Sequence, residues 1–307
     1  MNEIILHHYP ASPVSEKVRV GLGIKDLAWR SVEIPRLPPK PDLMPLTGGF
    51  RRTPILQIGA DIYCDSQCIL RELQRRFPRP TFHPDGDEGL PWAISRWTDG
   101  LFEVAVRLSM GANAAQLPEP FAKDRVRLFF GANGDLNKVQ ADVPHTAAQL
   151  RAQFGWIDRR LARGSRYTLG AEAGLADALV YYLVWFVRAR WQGGPGLLSE
   201  FPAVEAWEQR VKAIGHGRPT EMSPGEALEV ARAAEPATPE QSDARDPQGL
   251  KPGQSLSVVA DLDSGELPVV GSVRFVDRDS IAIAREDARV GSVCIHFPRV
   301  GYRVLAA

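Results

Sequence analysis

Three hydrophobic patterns follow one another along this chain, and together they limit what it can fold into. Up to Phe77, short apolar runs and helical spacing alternate in the order β-α-β-loop-β-β-α. From Leu90 to Glu235 the apolar residues recur at helical spacing only. After Lys251 they alternate with polar residues, which is typical of short strands. The sequence therefore predicts an α/β domain, an all-α bundle and a small all-β module, in that order.

Within the α/β region, turn and cap residues place the elements. Ser12 is a suitable N-cap, and Pro13 suits the first helical position because its missing N–H has no helical partner. The Pro-rich run 35–45 predicts a loop, and Gly59 lies at the turn of a hairpin. The predicted elements are a strand at 3–8, a helix at 13–24, a strand at 29–34, hairpin strands at 54–58 and 62–64, and a helix at about 66–77.

Composition changes mark the domain boundaries. Residues Leu175–Arg190 are apolar on nearly all sides, so this helix should be buried in the bundle. Residues 236–250 mix Pro and Gly with charged residues and predict a linker. The predicted organisation is a first domain at 1–82, a helical domain at 88–235, the linker at 236–250 and a β-sheet or barrel module at 251–307.

Charge and cysteine content exclude several classes of protein. Lys plus Arg equals Asp plus Glu at 37 each, which argues against a globally basic nucleic-acid binder. No apolar run is long enough to span a bilayer, and the N-terminus lacks a signal-peptide pattern. The three cysteines Cys64, Cys68 and Cys294 form no CxxC pair and no even-numbered disulfide framework. We therefore expect a cytoplasmic protein with reduced thiols that binds neither nucleic acid nor membrane.

Three short motifs carry a family resemblance. They are Thr53-Pro54, Asp65-Ser66 and the segment Gly170–Asp177 ahead of the predicted buried helix. At these residues the chain resembles the glutathione S-transferase family, whose members join a thioredoxin-like domain to an all-helical domain. The resemblance covers about residues 1–230 and does not extend to the β module. Gly174 departs from the Ser or Thr that is typical of the family's helix cap, and Asp65 is one methylene shorter than the family's usual acid.

The resemblance implies a function and partners. Glutathione would be the co-substrate, with no other cofactor and no metal, and a small hydrophobic electrophile would be conjugated to it. The family also implies a homodimer. The alternative is a non-catalytic protein that keeps the scaffold to bind glutathione or a partner, with the β module as its interaction surface. Fold alone does not decide between these alternatives.

A hydroxyl at the start of the first helix would activate the thiol of glutathione in such an enzyme. A hydrogen-bond donor and the positive end of a helix both favour a thiolate, which is the nucleophile. Ser12 is the first candidate, because Ser-Pro at this turn matches the serine-type classes. Tyr9 is the second candidate and Ser15 the third. A plain N-cap is the alternative role for Ser12.

The resemblance also assigns the glutathione-binding residues. Thr53 would offer its backbone to the cysteinyl unit, next to a cis peptide bond at Pro54, although trans is the default for an X–Pro bond. Asp65 and Ser66 would hold the γ-glutamyl end, or could be only a helix N-cap pair. Arg51 and Arg52 could meet the glycyl carboxylate, or be ordinary solvated surface.

Other conspicuous residues have simpler explanations. His7 and His8 point to opposite faces of a strand and cannot bind one metal ion together, so we interpret them as structural. A set of aromatic residues could line a pocket for the second substrate, but core packing is the simpler interpretation; these are Trp92, Trp97, Phe102 and Trp185. The β module has basic and aromatic residues, but its acidic residues balance their charge. We therefore expect it to dock on the helical domain or on a partner subunit.

Overall fold

The computed structural model describes residues 3–306 and divides them into two compact units. The first unit comprises the chain up to Ser15, Ala28–Arg75 and the chain from Arg218 onward. The second comprises Glu16–Leu27 and Arg76–Gly217. None of the helices in this part of the chain is both long and apolar enough to cross a bilayer.

The N-terminal elements follow the predicted order. They are β1 (Ile5–His8), α1 (Pro13–Ile24), β2 (Ala28–Glu33), α2 (Met44–Thr47), β3 (Ile55–Ile58), β4 (Asp61–Cys64) and α3 (Ser66–Arg76). The predicted hairpin is confirmed as β3 paired antiparallel with β4, and β1 lies between β2 and β3. The short helix α2 was missed, since a single turn that starts beside Pro45 gives almost no periodic signal.

The middle of the chain is helical, as predicted. Its elements are α4 (Leu90–Ala112), a 3₁₀ turn (Ala114–Gln116), α5 (Glu119–Phe130), α6 (Leu136–Ala141), α7 (Val143–Leu161), α8 (Leu175–Arg190), α9 (Gly194–Leu198) and α10 (Pro202–Ile214). The prediction that α8 is buried is confirmed, because its side chains from Leu175 to Val184 are all buried. They pack in one core with Leu150, Phe154 and Trp207.

Helix α8 begins with a cap that compensates for Gly174. The Asp177 carboxylate accepts the Gly174 N–H at 2.9 Å, the Thr168 N–H at 2.8 Å and the Trp207 Nε1–H at 2.7 Å. A Cβ at Gly174 would lie 2.8 Å from the Phe82 carbonyl oxygen. The departure from the family's Ser or Thr therefore makes room for this close approach, while Asp177 keeps the cap satisfied.

The last part of the chain begins with a strand and a helix that were not predicted from the sequence. The elements are β5 (Arg218–Glu221), α11 (Pro224–Arg232), β6 (Ser255–Ala260), β7 (Val269–Val276), β8 (Ser280–Asp287), β9 (Gly291–Pro298) and β10 (Tyr302–Ala306). Residues 218–232 lie in the first unit, although the sequence placed them in the helical domain. Strand β5 is fully exposed and has no apolar alternation, so only its parallel pairing with β2 defines it.

Within residues 3–306, ten strands form one sheet, in the order β10-β6-β7-β8-β9-β4-β3-β1-β2-β5. The predicted small all-β C-terminal module is confirmed as strands β6–β10, and these strands join the sheet of the first domain through β9. Strand β9 pairs in parallel with β4, with Cys294 opposite Asp61 and His296 opposite Tyr63. The thioredoxin-like sheet and the C-terminal strands also share one apolar core, to which Ile55, Ile62 and Ile295 belong. The C-terminal strands therefore continue the first domain.

Residues 236–250 contain no helix or regular strand but are anchored to this unit. The Ala237 N–H and the Thr238 hydroxyl donate to the Asp61 carboxylate at 2.8 and 2.6 Å. Leu250 is buried in the core. The segment is therefore a connection that is anchored near both ends, while most of its residues are exposed, as its composition indicates.

Candidate functional site

Ser12 caps helix α1 and keeps its proton available. Its Oγ accepts the backbone N–H of Ser15 at 3.2 Å, so the N-cap role is present. A hydroxyl that accepts one hydrogen bond can still donate another. Among residues 3–306, no side chain or carbonyl accepts the Ser12 proton. The cap and a role as a thiol partner are therefore compatible, although the side chain is buried.

The other two hydroxyl candidates lie in different surroundings. Ser15 is fully buried, and its Oγ has no hydrogen-bond partner within the described chain. Tyr9 is partly buried against the core of the first unit, and the Arg36 guanidinium lies 5.9 Å from its ring centroid. Ser12, Ser15 and Tyr9 thus all belong to the first unit, at or just before the start of α1.

The segment Arg51–Pro54 is held from two sides within the first unit. The predicted cis peptide bond between Thr53 and Pro54 is present. Lys40 Nζ donates to the Arg51 carbonyl at 2.8 Å and lies 3.1 Å from Thr53 Oγ1. On the other side, Arg52 Nε donates to Glu266 Oε2 at 2.7 Å, and Arg51 Nε lies 3.6 Å from Glu266 Oε1. The two arginines are therefore ion-paired with the C-terminal part of the chain and are not solvated surface.

Asp65 and Ser66 start helix α3, and the cap interpretation of this pair is correct in part. Asp65 has a φ of 73°, in the left-handed region, and its Oδ1 accepts the Gln67 N–H at 2.9 Å. Its other oxygen, Oδ2, accepts the hydroxyl of Tyr302 at 3.0 Å. Ser66 is the first residue of α3 and is buried. Asp65 thus caps the helix with one oxygen and bonds the C-terminal strand β10 with the other.

Tyr302 joins these contacts into one polar cluster. Burial, and then the adjacent Asp65 carboxylate, raise the pKa of Tyr302 well above its ordinary value, so its phenol stays protonated and donates. Arg52 interacts electrostatically with both Tyr302 and Asp65. We call Arg52, Asp65, Glu266 and Tyr302 the tail cluster. The sequence missed Glu266 and Tyr302, because no local pattern relates a residue to a partner more than 200 positions away.

The paired histidines make separate contacts. His7 Nε2 lies 2.8 Å from Gln57 Oε1, and His8 Nε2 lies 2.8 Å from Ser31 Oγ. Burial lowers the pKa of His7 to about 4, so its ring is neutral at pH 7. Each ring has a structural partner, in agreement with the structural interpretation.

A buried Asp-Cys-His group lies where β4 meets β9. Potential metal-ligand atoms of Asp61, Cys294 and His296 lie within 4.8 Å of one another. Asp61 already accepts hydrogen bonds from Ala237 and Thr238, and His296 Nε2 lies 3.2 Å from Asp61 Oδ1. Burial raises the pKa of Cys294 to about 12, which keeps its thiol protonated. These contacts explain the group as an anchor for residues 236–238.

Aromatic packing accounts for most of the proposed pocket residues. The Phe102 ring contacts the rings of Phe129, Tyr182 and Phe186, with centroids 5.7–6.0 Å apart. Trp97 Nε1 donates to Gln153 Oε1 at 2.8 Å. Phe102, Trp97 and Trp185 all pack against the core of the second unit, as the simpler interpretation predicts. A cavity of about 340 Å³ in that unit has other walls, which include Ile24, Tyr167, Glu172 and Ile214.

Two family models match separate parts of the chain. Residues 6–81 match the model of the glutathione S-transferase N-terminal domain, and residues 140–210 match that of the C-terminal domain. A GST-like protein from Pseudomonas syringae is 34% identical in sequence, with 100% of both chains covered and a TM-score of 0.77. The chain belongs to the glutathione S-transferase family.

More distant structures share the fold over part of the chain. Glutathione S-transferase III in its apo form is 22% identical, with a TM-score of 0.51, and the match covers 69% of this chain and 92% of that one. A Tau class enzyme from mango is 16% identical, with a TM-score of 0.51 and coverage of 75% and 98%. Among curated proteins, none matches the sequence. The full-length match to the Pseudomonas syringae protein shows that the C-terminal strands have a counterpart there.

Proposed function

We propose that this protein is a glutathione transferase-like enzyme that adds glutathione to a small hydrophobic electrophile. The observation that carries the proposal is the Ser12 hydroxyl at the start of α1, which accepts a helix N–H at 3.2 Å while its own proton stays available. Membership of the glutathione S-transferase family supports glutathione as the thiol.

The chemistry requires the thiol to be ionised. A free thiol with a pKa of about 8.5 is only a few per cent thiolate at pH 7. A decrease of two pKa units corresponds to about 2.7 kcal/mol and makes the thiol largely anionic. A hydroxyl donor and the unpaired N–H groups of a helix start both act in that direction. Ser12 combines the two in one position, with Tyr9 as the second candidate and Ser15 as the third.

The remaining roles follow the family. The backbone of Thr53, beside Pro54, would pair with the cysteinyl unit, and Asp65 with Ser66 would hold the γ-glutamyl end at the start of α3. Cys64, Cys68 and Cys294 are all buried free thiols, which suits a reducing, cytoplasmic compartment. Glutathione would act as a co-substrate, without a further cofactor.

A second candidate function rests on the tail cluster. Arg51, Arg52 and Asp65 already have partners in Glu266 and Tyr302. A scaffold whose binding groups already contact other residues of the same chain fits a non-catalytic protein that binds glutathione weakly or binds a partner. The two candidates differ in turnover, not in fold.

One pair of measurements tests both candidates. The purified protein is passed over immobilised glutathione, and its conjugation of glutathione to a generic aromatic electrophile is then measured. Retention with turnover above the uncatalysed rate supports the enzyme, whereas retention without turnover supports the binding protein. A protein that is not retained and shows no turnover would contradict both.

A further inference from the structure

We propose that Glu266 fills the anion-binding position formed by Arg51 and Arg52, so that the site selects thiol peptides without using their C-terminal carboxylate. This inference rests on the proposed glutathione site and names what that site does not recognise. A glutathione whose glycyl carboxylate is masked as an ester should then bind as well as glutathione itself.

Arg52 and Ser264 converge on the Oε2 oxygen of Glu266, whereas its buried Oε1 accepts no hydrogen bond within the described chain. Arg52 Nε donates to its Oε2 at 2.7 Å, and Arg52 Nη2 lies 2.5 Å from the same oxygen. The Ser264 hydroxyl also donates to Oε2, at 2.9 Å. Arg51 Nε approaches the second oxygen at 3.6 Å. An arginine pair and a hydroxyl converging on one carboxylate is the arrangement that would otherwise recognise the carboxylate of a ligand.

Burial makes this arrangement hard to displace. The side chain of Glu266 is only 9% exposed, and those of Arg51 and Arg52 are 19% and 25% exposed. A ligand carboxylate that took over the arginines would leave the Glu266 charge buried without its partners. The exchange replaces one ion pair with another and adds that desolvation cost. Glu266 should therefore outcompete a ligand carboxylate for Arg51 and Arg52.

A second contact keeps the same part of the chain in place. Tyr302, the first residue of β10, donates to Asp65 Oδ2 at 3.0 Å, and Glu266 lies in the loop between β6 and β7. Strands β10 and β6 are paired, with Tyr302 opposite Ala260. The loop that carries Glu266 thus follows β6, whose neighbouring strand β10 is bonded to the start of α3. Glu266 is held by the sheet as well as by its own ion pairs.

Isothermal titration calorimetry on the full-length protein tests the proposal. The probes are glutathione and its glycyl monoethyl ester, which differ only in the carboxylate in question. The wild-type protein should bind both with affinities within about twofold. Glu266→Gln frees the arginines and should strengthen glutathione binding about tenfold, while binding of the ester is unchanged. Glu286→Gln is the matched control, since the side chain of Glu286 is exposed on β8 and makes no hydrogen bond or ion pair within residues 3–306.

The outcomes separate this inference from the proposed function. A wild-type preference of tenfold or more for glutathione over its ester overturns the inference and leaves the proposed function standing. That comparison needs no variant, so it holds even if Glu266→Gln misfolds. An unchanged affinity ratio in a folded Glu266→Gln protein also overturns it. If neither peptide binds to any of the proteins, the proposed function fails and this inference fails with it.

Discussion

Ser12 is the residue on which the proposed chemistry depends. Ser12→Ala removes the hydroxyl that would donate to the thiolate, and a hydrogen bond to a charged group contributes about 1.5–3 kcal/mol. Conjugation should therefore fall by about one to two powers of ten, while Tyr9→Phe should do less. Initial rates with a generic aromatic electrophile measure both changes.

A second serine cap provides the control for that experiment. Ser223 caps α11, where its Oγ accepts the Glu226 N–H at 3.2 Å. Ser223→Ala should cost about 1 kcal/mol of stability and leave the conjugation rate unchanged. If Tyr9→Phe is the damaging change and Ser12→Ala has no effect, the assignment of Ser12 is wrong.

Asp61 provides a pH-dependent prediction. Burial raises the pKa of this carboxyl, but hydrogen bonds from His296, Thr238 and Ala237 outweigh burial and hold the pKa below its ordinary value of 3.8. The stabilisation is therefore present above the unfolded-state pKa and is lost as the pH falls through the lower folded-state pKa.

The Asp61→Asn substitution should consequently lower the free energy of unfolding by about 2–3 kcal/mol at pH 7. Its stability should also decline less steeply than that of the wild type below about pH 4. Denaturant unfolding across the acid range measures both, with the exposed Glu240→Gln as a control. If the free energy of unfolding fell equally with pH in the wild type and in Asp61→Asn, Asp61 would not be the source of the acid sensitivity.

At the scale of elements, the pairing of β9 with β4 changes what a truncation should do. Taken alone, the sequence predicts a separable β module whose removal leaves glutathione binding measurable. Among residues 3–306, strands β6–β10 supply ten of the 25 buried residues of the first core, and β9 covers the edge of β4. Deletion after Ala234 should therefore abolish the cooperative thermal transition of the first unit.

Circular dichroism and scanning calorimetry detect that loss. The control removes only residues 303–307, which include all of the edge strand β10 except Tyr302, and should keep the transition. A truncation after Ala234 that still melts cooperatively at the wild-type temperature would show that the first four strands fold without the C-terminal ones.

For the whole molecule, the family implies a two-fold symmetric homodimer through its first two domains. Isologous interfaces of this kind are the commonest way in which soluble chains assemble. Light scattering at micromolar concentration should therefore give about twice the chain mass of 33.8 kDa. A mass that stays at the monomer value across a tenfold concentration range would contradict the prediction.

Much of the fold could be predicted because its signals are local. The Ser12-Pro13 start of α1, the hairpin around Gly59, the apolar helix α8 and the turns between β6 and β9 all follow from caps, breakers and hydrophobic period. The elements that were missed lack such signals. Strand β5 is four exposed residues, and α2 is a single turn. Candidate site residues near α1 and α3 could likewise be named from short motifs.

The sequence by itself determined the type and order of the elements and the family of the first 230 residues, because period, caps and turn residues act over a few positions. Only the tertiary structure decided that β9 pairs with β4, that Glu266 neutralises Arg52 and that Tyr302 donates to Asp65. Backbone edges carry no side-chain code for their partner, and Asp61 and His296 are 235 residues apart. Strand pairing and ion-pair partners both depend on how the whole chain buries its apolar surface.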